Sequence, residues 1–237
     1  MTTCVLFDLY GTLVDIQLDE DSVPLWAGLS GALAGSDGTA TDPGALRTRF
    51  RSILAAEASR GREGFIMEAV FRRLMSPGAT ATRIAVIARL FRQLSLKELT
   101  LRSYVGPLFE ALRGAASKIA IVSNTEASLT RFDLDQFPIL LTADTIVLSS
   151  EVGVRKPDAR IFHLTLGRLR AAAASGVFVG NDWVADVVGA RAAGLRAIYL
   201  SAAGPVPAPG DDAIGVVRAA PTLASIVSAL RVCGWRG

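Results

Sequence analysis

Four short polar segments of this chain carry side chains that could do chemistry, and each follows an apolar run. Asp8 follows the run Cys-Val-Leu-Phe, and the pair Ser123 and Asn124 follows a second run. Lys156 lies in the loop after a third run, and a fourth run precedes Gly-Asn-Asp-Trp-Val-Ala-Asp. A carboxylate at the tip of a buried strand is costly unless a charged group or a metal meets it. Together the four segments supply a carboxylate, a hydroxyl, an ammonium group and an acidic cluster.

The first three segments contain groups suited to covalent catalysis on an anionic substrate. Asp8 could be a nucleophile that forms a covalent intermediate, or it could only cap the turn that follows. Ser123 could bind an oxyanion through its hydroxyl, or cap the next helix. Lys156 is one of three lysines beside 22 arginines. Its compact ammonium suits an oxyanion or a crowded carboxylate, whereas the alternative is a solvated loop lysine.

The fourth segment offers oxygen ligands for a hard cation. The carboxylates of Asp182 and Asp186 and the amide oxygen of Asn181 are of the kind that Mg²⁺ binds. In the alternative interpretation, Asp182 caps a helix that begins near Trp183, and Asp186 lies on its first turn, where the helix dipole favours it. His163, the single histidine, falls in a helical pattern over 158–169, where packing is the expected role.

The elements that must position these groups are short parallel strands. Continuous apolar runs, typical of strands buried on both faces, alternate with helical patterns, which predicts an α/β fold with a parallel sheet. Ligands of such sheets bind beyond the carboxyl ends of the strands. The four polar segments should therefore meet at one edge. The predicted strands are 4–7, 118–122, 145–148, 176–179, 197–200 and 214–217.

Residues 16–100 differ from the rest, because they carry helical patterns and no convincing strand. Asp42-Pro43 is a typical helix start, and helices are expected over 42–59, 64–74 and 79–94. We predict a core domain of residues 1–15 and 101–237, interrupted by an all-helical domain over 16–100. The Pro- and Gly-rich stretch 204–210 is expected to be a surface loop.

Composition narrows the class of protein. Apolar residues make up 51%, and 25 basic minus 22 acidic residues give a net charge of +3, with no basic run interleaved with aromatics, so nucleic-acid binding is not expected. Two cysteines imply no disulfide framework and fit a reducing compartment. No signal peptide and no apolar run of about 18 residues is found. We expect a cytoplasmic protein that acts on a small molecule away from membranes, as a monomer or homodimer.

The four segments, in this order and each at a strand end, resemble the motifs of the haloacid dehalogenase-like (HAD) hydrolase superfamily, in its branch with a helical cap after the first strand. The motifs are DLYGTLVD from Asp8, IVSN with Ser123, EVGVRKPD with Lys156, and VGNDWVADVVGARAAGL. The resemblance implies a Rossmann-like parallel-sheet core, with Asp8 as nucleophile and with Ser123 and Lys156 as ligands of the substrate oxyanion.

The resemblance also implies the remaining roles. Asp186 would be a partner of Lys156. In metal-dependent members Mg²⁺ contacts the nucleophile, the backbone carbonyl two residues on, and the first acid of the fourth motif, which is Asn181 here. We therefore predict catalysis by Asp8, Tyr10, Thr12, Ser123, Lys156 and Asp186, substrate binding by Ser123, Asn124 and Lys156, and Mg²⁺ binding by Asp8, Tyr10, Asn181 and Asp182.

Two residues depart from the phosphatase pattern. Phosphatases of the family usually carry an acid where this chain has Tyr10, and Asn181 removes one charge from the expected metal site. Tyrosine at the first place is typical of the metal-free 2-haloacid dehalogenases, whose fourth motif begins with serine and whose cap supplies a halide-binding arginine. The sequence does not single out one such arginine among the cap candidates Arg47, Arg49 and Arg51.

Tyr10 also bears on the leaving group. Tyrosine can donate a proton, but its reference pKa of about 10 makes it a poor base for activating water. Halide, acyl phosphate and activated phosphate esters need little protonation and would suffer least. The favoured hypothesis is a Mg²⁺-dependent phosphatase of a small phosphorylated metabolite that acts through a covalent aspartyl intermediate. The alternatives are a metal-free 2-haloacid dehalogenase and a non-catalytic binding scaffold.

Overall fold

The computed structural model describes residues 3–34, 41–59, 67–75, 78–201, 214–218 and 221–237. The chain divides into two compact units. The sheet unit comprises Met1–Asp15, Thr100–Asn124 and Phe137–Gly237, and the helical unit comprises Ile16–Leu99 and Thr125–Gln136. The predicted boundaries between a core domain and a helical domain, after residues 15 and 100, stay a prediction.

The sheet unit is built on six parallel strands in the order β5-β4-β1-β6-β7-β8. The chain runs outward from β1 in both directions, so the strand order reverses between β1 and β6, which is where open α/β sheets bind ligands. This confirms the predicted Rossmann-like fold class. The strands are β1 (Cys4–Phe7), β4 (Lys118–Ser123), β5 (Thr145–Leu148), β6 (Gly176–Gly180), β7 (Arg196–Ser201) and β8 (Ile214–Arg218).

Helices cover both faces of this sheet, which explains why its strands are continuous apolar runs. On one face Leu6, Ala120 and Val122 pack in a single core cluster with Phe162 and Val187. On the other face Phe7 packs against Phe109, with ring centroids 5.7 Å apart. The helices of the sheet unit are α5 (Val105–Gly114), α7 (Ser149–Val152), α8 (Ala159–Leu169), α9 (Gly189–Ala192) and α10 (Leu223–Val232).

The helical unit has its own core, dominated by aromatic rings. Phe50 and Phe91 stack with centroids 5.2 Å apart, and Trp26 meets Phe50 edge to face at 5.2 Å. Arg92 and Asp133 form a buried ion pair at 3.4 Å. Phe71 is fully buried here as expected, while Phe65 lies outside the described residues. The helices are α1 (Val23–Leu33), α2 (Pro43–Ala58), α3 (Met67–Leu74), α4 (Ala81–Ser95) and α6 (Ala127–Asp135).

The prediction that residues 16–100 hold no strand is wrong. A small two-stranded sheet pairs β2 (Val14–Leu18) with β3 (Leu96–Leu101), and both strands cross the boundary between the units. Much of their side-chain surface is exposed, so neither strand carries the apolar run on which the prediction relied. Residues 64–66 of the predicted 64–74 helix and the whole predicted loop 204–210 lie outside the described residues.

None of the helices in the described part of the chain combines the length and hydropathy needed to cross a lipid bilayer.

Candidate active site

The site is at the carboxyl edge of the sheet, beside the reversal of strand order. Asp8 comes directly after β1, and its backbone N–H donates to the Val179 carbonyl on neighbouring β6 at 2.9 Å. Asn181 comes directly after β6, and Ser123 is the last residue of β4, the other neighbour of β1. The parallel register therefore brings three of the four polar segments to adjacent strand ends.

Lys156 joins the third segment to this edge. Its ammonium lies 2.6 Å from Asp8 Oδ1 and 2.6 Å from Asp186 Oδ1, and only 3% of the residue is exposed. The ammonium also lies over the Phe178 ring, 5.1 Å from its centroid. Lys156 is thus a buried charge between two carboxylates, and the alternative of a solvated loop lysine is wrong.

The charges in this cluster shift the pKa values of Lys156 and Asp186. Burial lowers the pKa of Lys156, but the Asp8 and Asp186 carboxylates outweigh burial and raise the pKa above its ordinary value. Burial raises the pKa of Asp186 to about 6, with the Lys156 ammonium opposing and the Asp8 charge adding to the rise. At neutral pH Lys156 therefore carries its proton and Asp186 is mostly ionised.

Asn124 holds the backbone of Lys156 with both ends of its side-chain amide. Its Nδ2 donates to the Lys156 carbonyl at 2.8 Å, and its Oδ1 accepts from the Lys156 N–H at 2.7 Å. These bonds use one of the two N–H groups and one of the two acceptor sites of the amide, so substrate binding by Asn124 stays a prediction. No local pattern indicated this role, since the two residues are 32 positions apart.

Asp186 reaches Lys156 from a widened helical turn over Trp183–Val188. The Asp182 carbonyl accepts from both Asp186 N–H at 2.9 Å and Val187 N–H at 3.3 Å. The Asp182 carboxylate accepts from the Ala185 N–H at 2.8 Å, so the capping alternative for Asp182 is the one observed. The Asp182 N–H in turn donates to Asp186 Oδ2 at 2.9 Å.

Gly180 gives the Asp186 carboxylate its space. A Cβ at this position would lie 2.3 Å from Asp186 Oδ2 and 2.6 Å from Asp186 Cβ, closer than real contacts allow. The sequence prediction did not identify this glycine, although it is the last residue of β6, directly before Asn181.

The loop after Asp8 is fixed from two sides. Gly11 has φ +76°, a conformation that favours glycine, and its N–H donates to the Val14 carbonyl at 2.8 Å. The Tyr104 hydroxyl donates to the Thr12 carbonyl, a contact that no local sequence pattern indicates. Buried Thr12 lies with its hydroxyl 3.1 Å from the Asn181 side chain.

Three oxygen atoms surround one end of the Asn181 side-chain amide. One terminal atom of the amide lies 3.2 Å from Asp8 Oδ2, 3.1 Å from the Tyr10 carbonyl oxygen and 3.1 Å from Thr12 Oγ1. The structure thus brings together three of the four residues predicted to bind Mg²⁺. The fourth, Asp182, uses its carboxylate as a helix cap.

Charged and metal-ligating side chains outside this site were also candidates for function. Within the described ranges, no three histidine, cysteine, aspartate or glutamate side chains are grouped closely enough to hold a metal ion. In the helical unit, Arg47 pairs with Asp21 at 2.6 Å, Arg51 pairs with the same carboxylate, and Arg49 donates to the Arg73 carbonyl at 3.1 Å. His163 is exposed and contacts the Ala193 carbonyl at 3.2 Å, so the packing role expected for it is wrong.

The sequence relatives of the chain include phosphatases. A ribulose-1,5-bisphosphate 5-phosphatase of Halopiger xanaduensis is 32% identical over 105 residues, 44% of each chain. A phosphoserine phosphatase of Thermus thermophilus is 30% identical over 157 residues, 66% of this chain and 62% of the relative. The chain therefore matches less than two thirds of either relative's length.

A 2-haloacid dehalogenase structure from Pseudomonas syringae pv. Tomato superimposes with a TM-score of 0.65 over 98% of this chain and 99% of that one, at 20% identity. At this identity the likeness shows the fold alone. The family model of haloacid dehalogenase-like hydrolases matches residues 2–194, which include all four polar segments. The chain belongs to the haloacid dehalogenase-like hydrolase family.

Proposed function

We propose that this hydrolase removes the phosphoryl group from a small phosphorylated metabolite, with Asp8 as nucleophile. The observation that carries the proposal is the buried Lys156 ammonium, 2.6 Å from Asp8 and 2.6 Å from Asp186. Such a charge beside a carboxylate can neutralise the phosphoryl oxygens as they approach. The phosphatases among the relatives support phosphorus as the reaction centre.

The chemistry needs two displacements. In the first, an Asp8 carboxylate oxygen attacks phosphorus, the ester P–O bond breaks, and the alkoxide leaves and takes a proton from solvent water. In the second, water attacks the aspartyl phosphate, inorganic phosphate leaves, and the Asp8 carboxylate is restored. Lys156 and the Ser123 hydroxyl bind the oxyanion in both steps, while Asp186 and Asn124 keep Lys156 in place.

The donor set fits one divalent cation. One terminal atom of the Asn181 amide lies 3.2 Å from Asp8 Oδ2 and 3.1 Å from the Tyr10 carbonyl oxygen. Oxygen ligands with a single carboxylate suit a Mg²⁺ that keeps several waters. When bound there, Mg²⁺ would help to neutralise the phosphoryl charge. We propose Asp8, Tyr10 and Asn181 as the residues that hold it.

Tyr10 limits the range of leaving groups. No carboxylic acid stands two residues after Asp8, so protonation of a basic alkoxide is poorly assisted. Acid–base assistance is typically worth about 10²–10⁴-fold. The enzyme should therefore favour acyl phosphates and esters of acidic alcohols over simple alkyl phosphates.

A metal-free 2-haloacid dehalogenase is the second candidate function. Tyr10 favours it, because halide leaves without a proton. The same Asp8 would then attack carbon, the carbon–halogen bond would break, and water would hydrolyse the resulting ester.

One assay decides between the two functions. Purified protein is incubated with aryl phosphate, alkyl phosphate and 2-chloropropionate, with Mg²⁺ and with EDTA, and phosphate and chloride are measured. We expect phosphate release with Mg²⁺ and an aryl rate at least about 100-fold above the alkyl rate. Asp8→Asn should abolish release, while Asp42→Asn, which keeps the cap of α2, should not. Chloride release in EDTA would overturn the phosphatase proposal in favour of the dehalogenase.

A further inference from the structure

We propose that the Asn181 amide works in two orientations: without metal its NH₂ group fills the cation position, and with a divalent cation it turns its oxygen inward. This inference rests on the proposed function, since it concerns the same metal position. It adds that this chain carries an internal substitute for the metal.

The metal-free orientation follows from the partners of the amide. Two of the three surrounding atoms, Asp8 Oδ2 and the Tyr10 carbonyl oxygen, can only accept hydrogen bonds, whereas the Thr12 hydroxyl can also accept. The oxygen and nitrogen of an amide are assigned from such partners. With its nitrogen inward, Asn181 donates to Asp8 at 3.2 Å, to Tyr10 at 3.1 Å and to Thr12 at 3.1 Å. With its oxygen inward and no cation, oxygens would face one another.

The same spacing suits the other orientation once a cation is present. Neighbouring oxygens around octahedral Mg²⁺ are about 2.9 Å apart, given bond lengths of about 2.0–2.1 Å. The distances of 3.1–3.2 Å from the inward atom of Asn181 to Asp8 and Tyr10 are close to that value. A half-turn about the last side-chain bond would therefore convert a donor into a ligand without moving the backbone.

Gly11 leaves the amide room for that turn. A Cβ on Gly11 would lie 2.5 Å from one terminal atom of Asn181 and 3.2 Å from the other, so the amide packs flat against this glycine. The Thr12 hydroxyl accepts from the NH₂ group in one orientation and donates to the oxygen in the other, at the same 3.1 Å. The hydroxyl can serve both states because its hydrogen rotates.

Two consequences distinguish this chain from one with an aspartate at the position. The metal-free site should be stable, because the amide satisfies Asp8. Metal should bind weakly, because it must displace these hydrogen bonds and gains one carboxylate fewer. Asn181→Asp should reverse both, since it places a second carboxylate about 3 Å from Asp8 and adds like-charge repulsion that only a cation relieves.

The test uses wild type, Asn181→Asp and, as a matched control, Asp182→Asn, which removes a neighbouring charge and keeps the cap. Thermal unfolding is measured in EDTA and over a Mg²⁺ titration, because a ligand that binds the folded state raises Tm with concentration. We expect Asn181→Asp to have the lower Tm in EDTA and at least about tenfold tighter Mg²⁺ binding. Asp182→Asn should bind Mg²⁺ within about threefold of wild type.

A second measurement does not depend on a variant. In the NMR spectrum of the assigned wild-type protein, the Asn181 side-chain NH₂ signals should exchange slowly in EDTA and shift with faster exchange on saturation with Mg²⁺. NH₂ signals unchanged at saturation, no Mg²⁺ binding by wild type, or an Asn181→Asp protein at least as stable as wild type in EDTA would each overturn the inference. The inference about Asn181 can fail while the phosphatase proposal holds. Phosphate release in EDTA together with one of these results would show that outcome.

Discussion

At the scale of single residues, the cluster of Asp8, Lys156 and Asp186 carries a net charge of −1 in a buried place. Lys156 can neutralise only one of the two carboxylates. Because burial penalises the remaining charge, the pKa of Asp186 rises from 3.8 to about 6. The Asp186 carboxylate therefore makes the fold less stable at neutral pH than at low pH, while it holds the Lys156 ammonium beside Asp8.

The Asp186→Asn variant tests this cost. A group whose pKa is higher in the folded state stabilises the fold at low pH, and that stability is lost as pH rises through the folded pKa. The rise from 3.8 to about 6 corresponds to about 3 kcal/mol. The amide of the variant lacks the acceptor for the Asp182 N–H, and this loss offsets part of the gain. We therefore expect Asp186→Asn to be more stable than wild type by about 2 kcal/mol at pH 8.

Urea denaturation at pH 4.5, 6 and 8 provides the measurement. The advantage of Asp186→Asn should shrink as pH falls through 6, because the wild-type carboxyl then binds a proton. Asp42→Asn at the exposed cap of α2 is the control and should show no such trend. A variant less stable than wild type at pH 8 would mean that the Lys156 ion pair outweighs burial.

At the scale of elements, the widened turn over Trp183–Val188 brings Asp186 back to the strand that precedes it. Its approach is so close that Gly180 has no room for a side chain. Gly180→Ala should displace Asp186, lower the phosphate-release rate by about 100-fold or more and reduce Tm. Gly167→Ala is the matched control, because Gly167 lies exposed in α8 with no atom within 4 Å of an added Cβ.

The control should be as active as wild type and more stable by about 0.5–1 kcal/mol, since alanine is the better helix former. Steady-state kinetics and thermal unfolding of both variants test the pair. An active Gly180→Ala protein would show that Asp186 does not need its present position.

Some of these elements could be predicted from the sequence and others could not. The strands of the large sheet were predictable because burial on both faces requires continuous apolar runs such as that of 4–7. The small sheet was not predictable, because much of the side-chain surface of its strands is exposed and polar residues interrupt the apolar ones. Within the site, residues next to strand ends were identified from position alone. The clamp by Asn124 and the Tyr104 hydroxyl bond join residues 32 and 92 positions apart, and no local pattern encodes such contacts.

At the scale of the whole molecule, the two units are interleaved along the chain. Residues 125–136 follow β4 of the sheet unit directly, yet they belong to the helical unit, where Leu129 of α6 packs in the core cluster. Each unit has a separate core, so we expect each to open as its own cooperative element.

Two leucine-to-alanine variants test that independence. Leu129→Ala removes a buried side chain of the helical unit, and Leu112→Ala removes one from α5 of the sheet unit. Truncation of a buried leucine costs about 2–5 kcal/mol. Hydrogen exchange should show Leu129→Ala lowering protection across α4, with β1 and β4 unchanged within about 0.5 kcal/mol. Leu112→Ala should do the reverse. Equal loss of protection in both units for both variants would show that the molecule unfolds as one body.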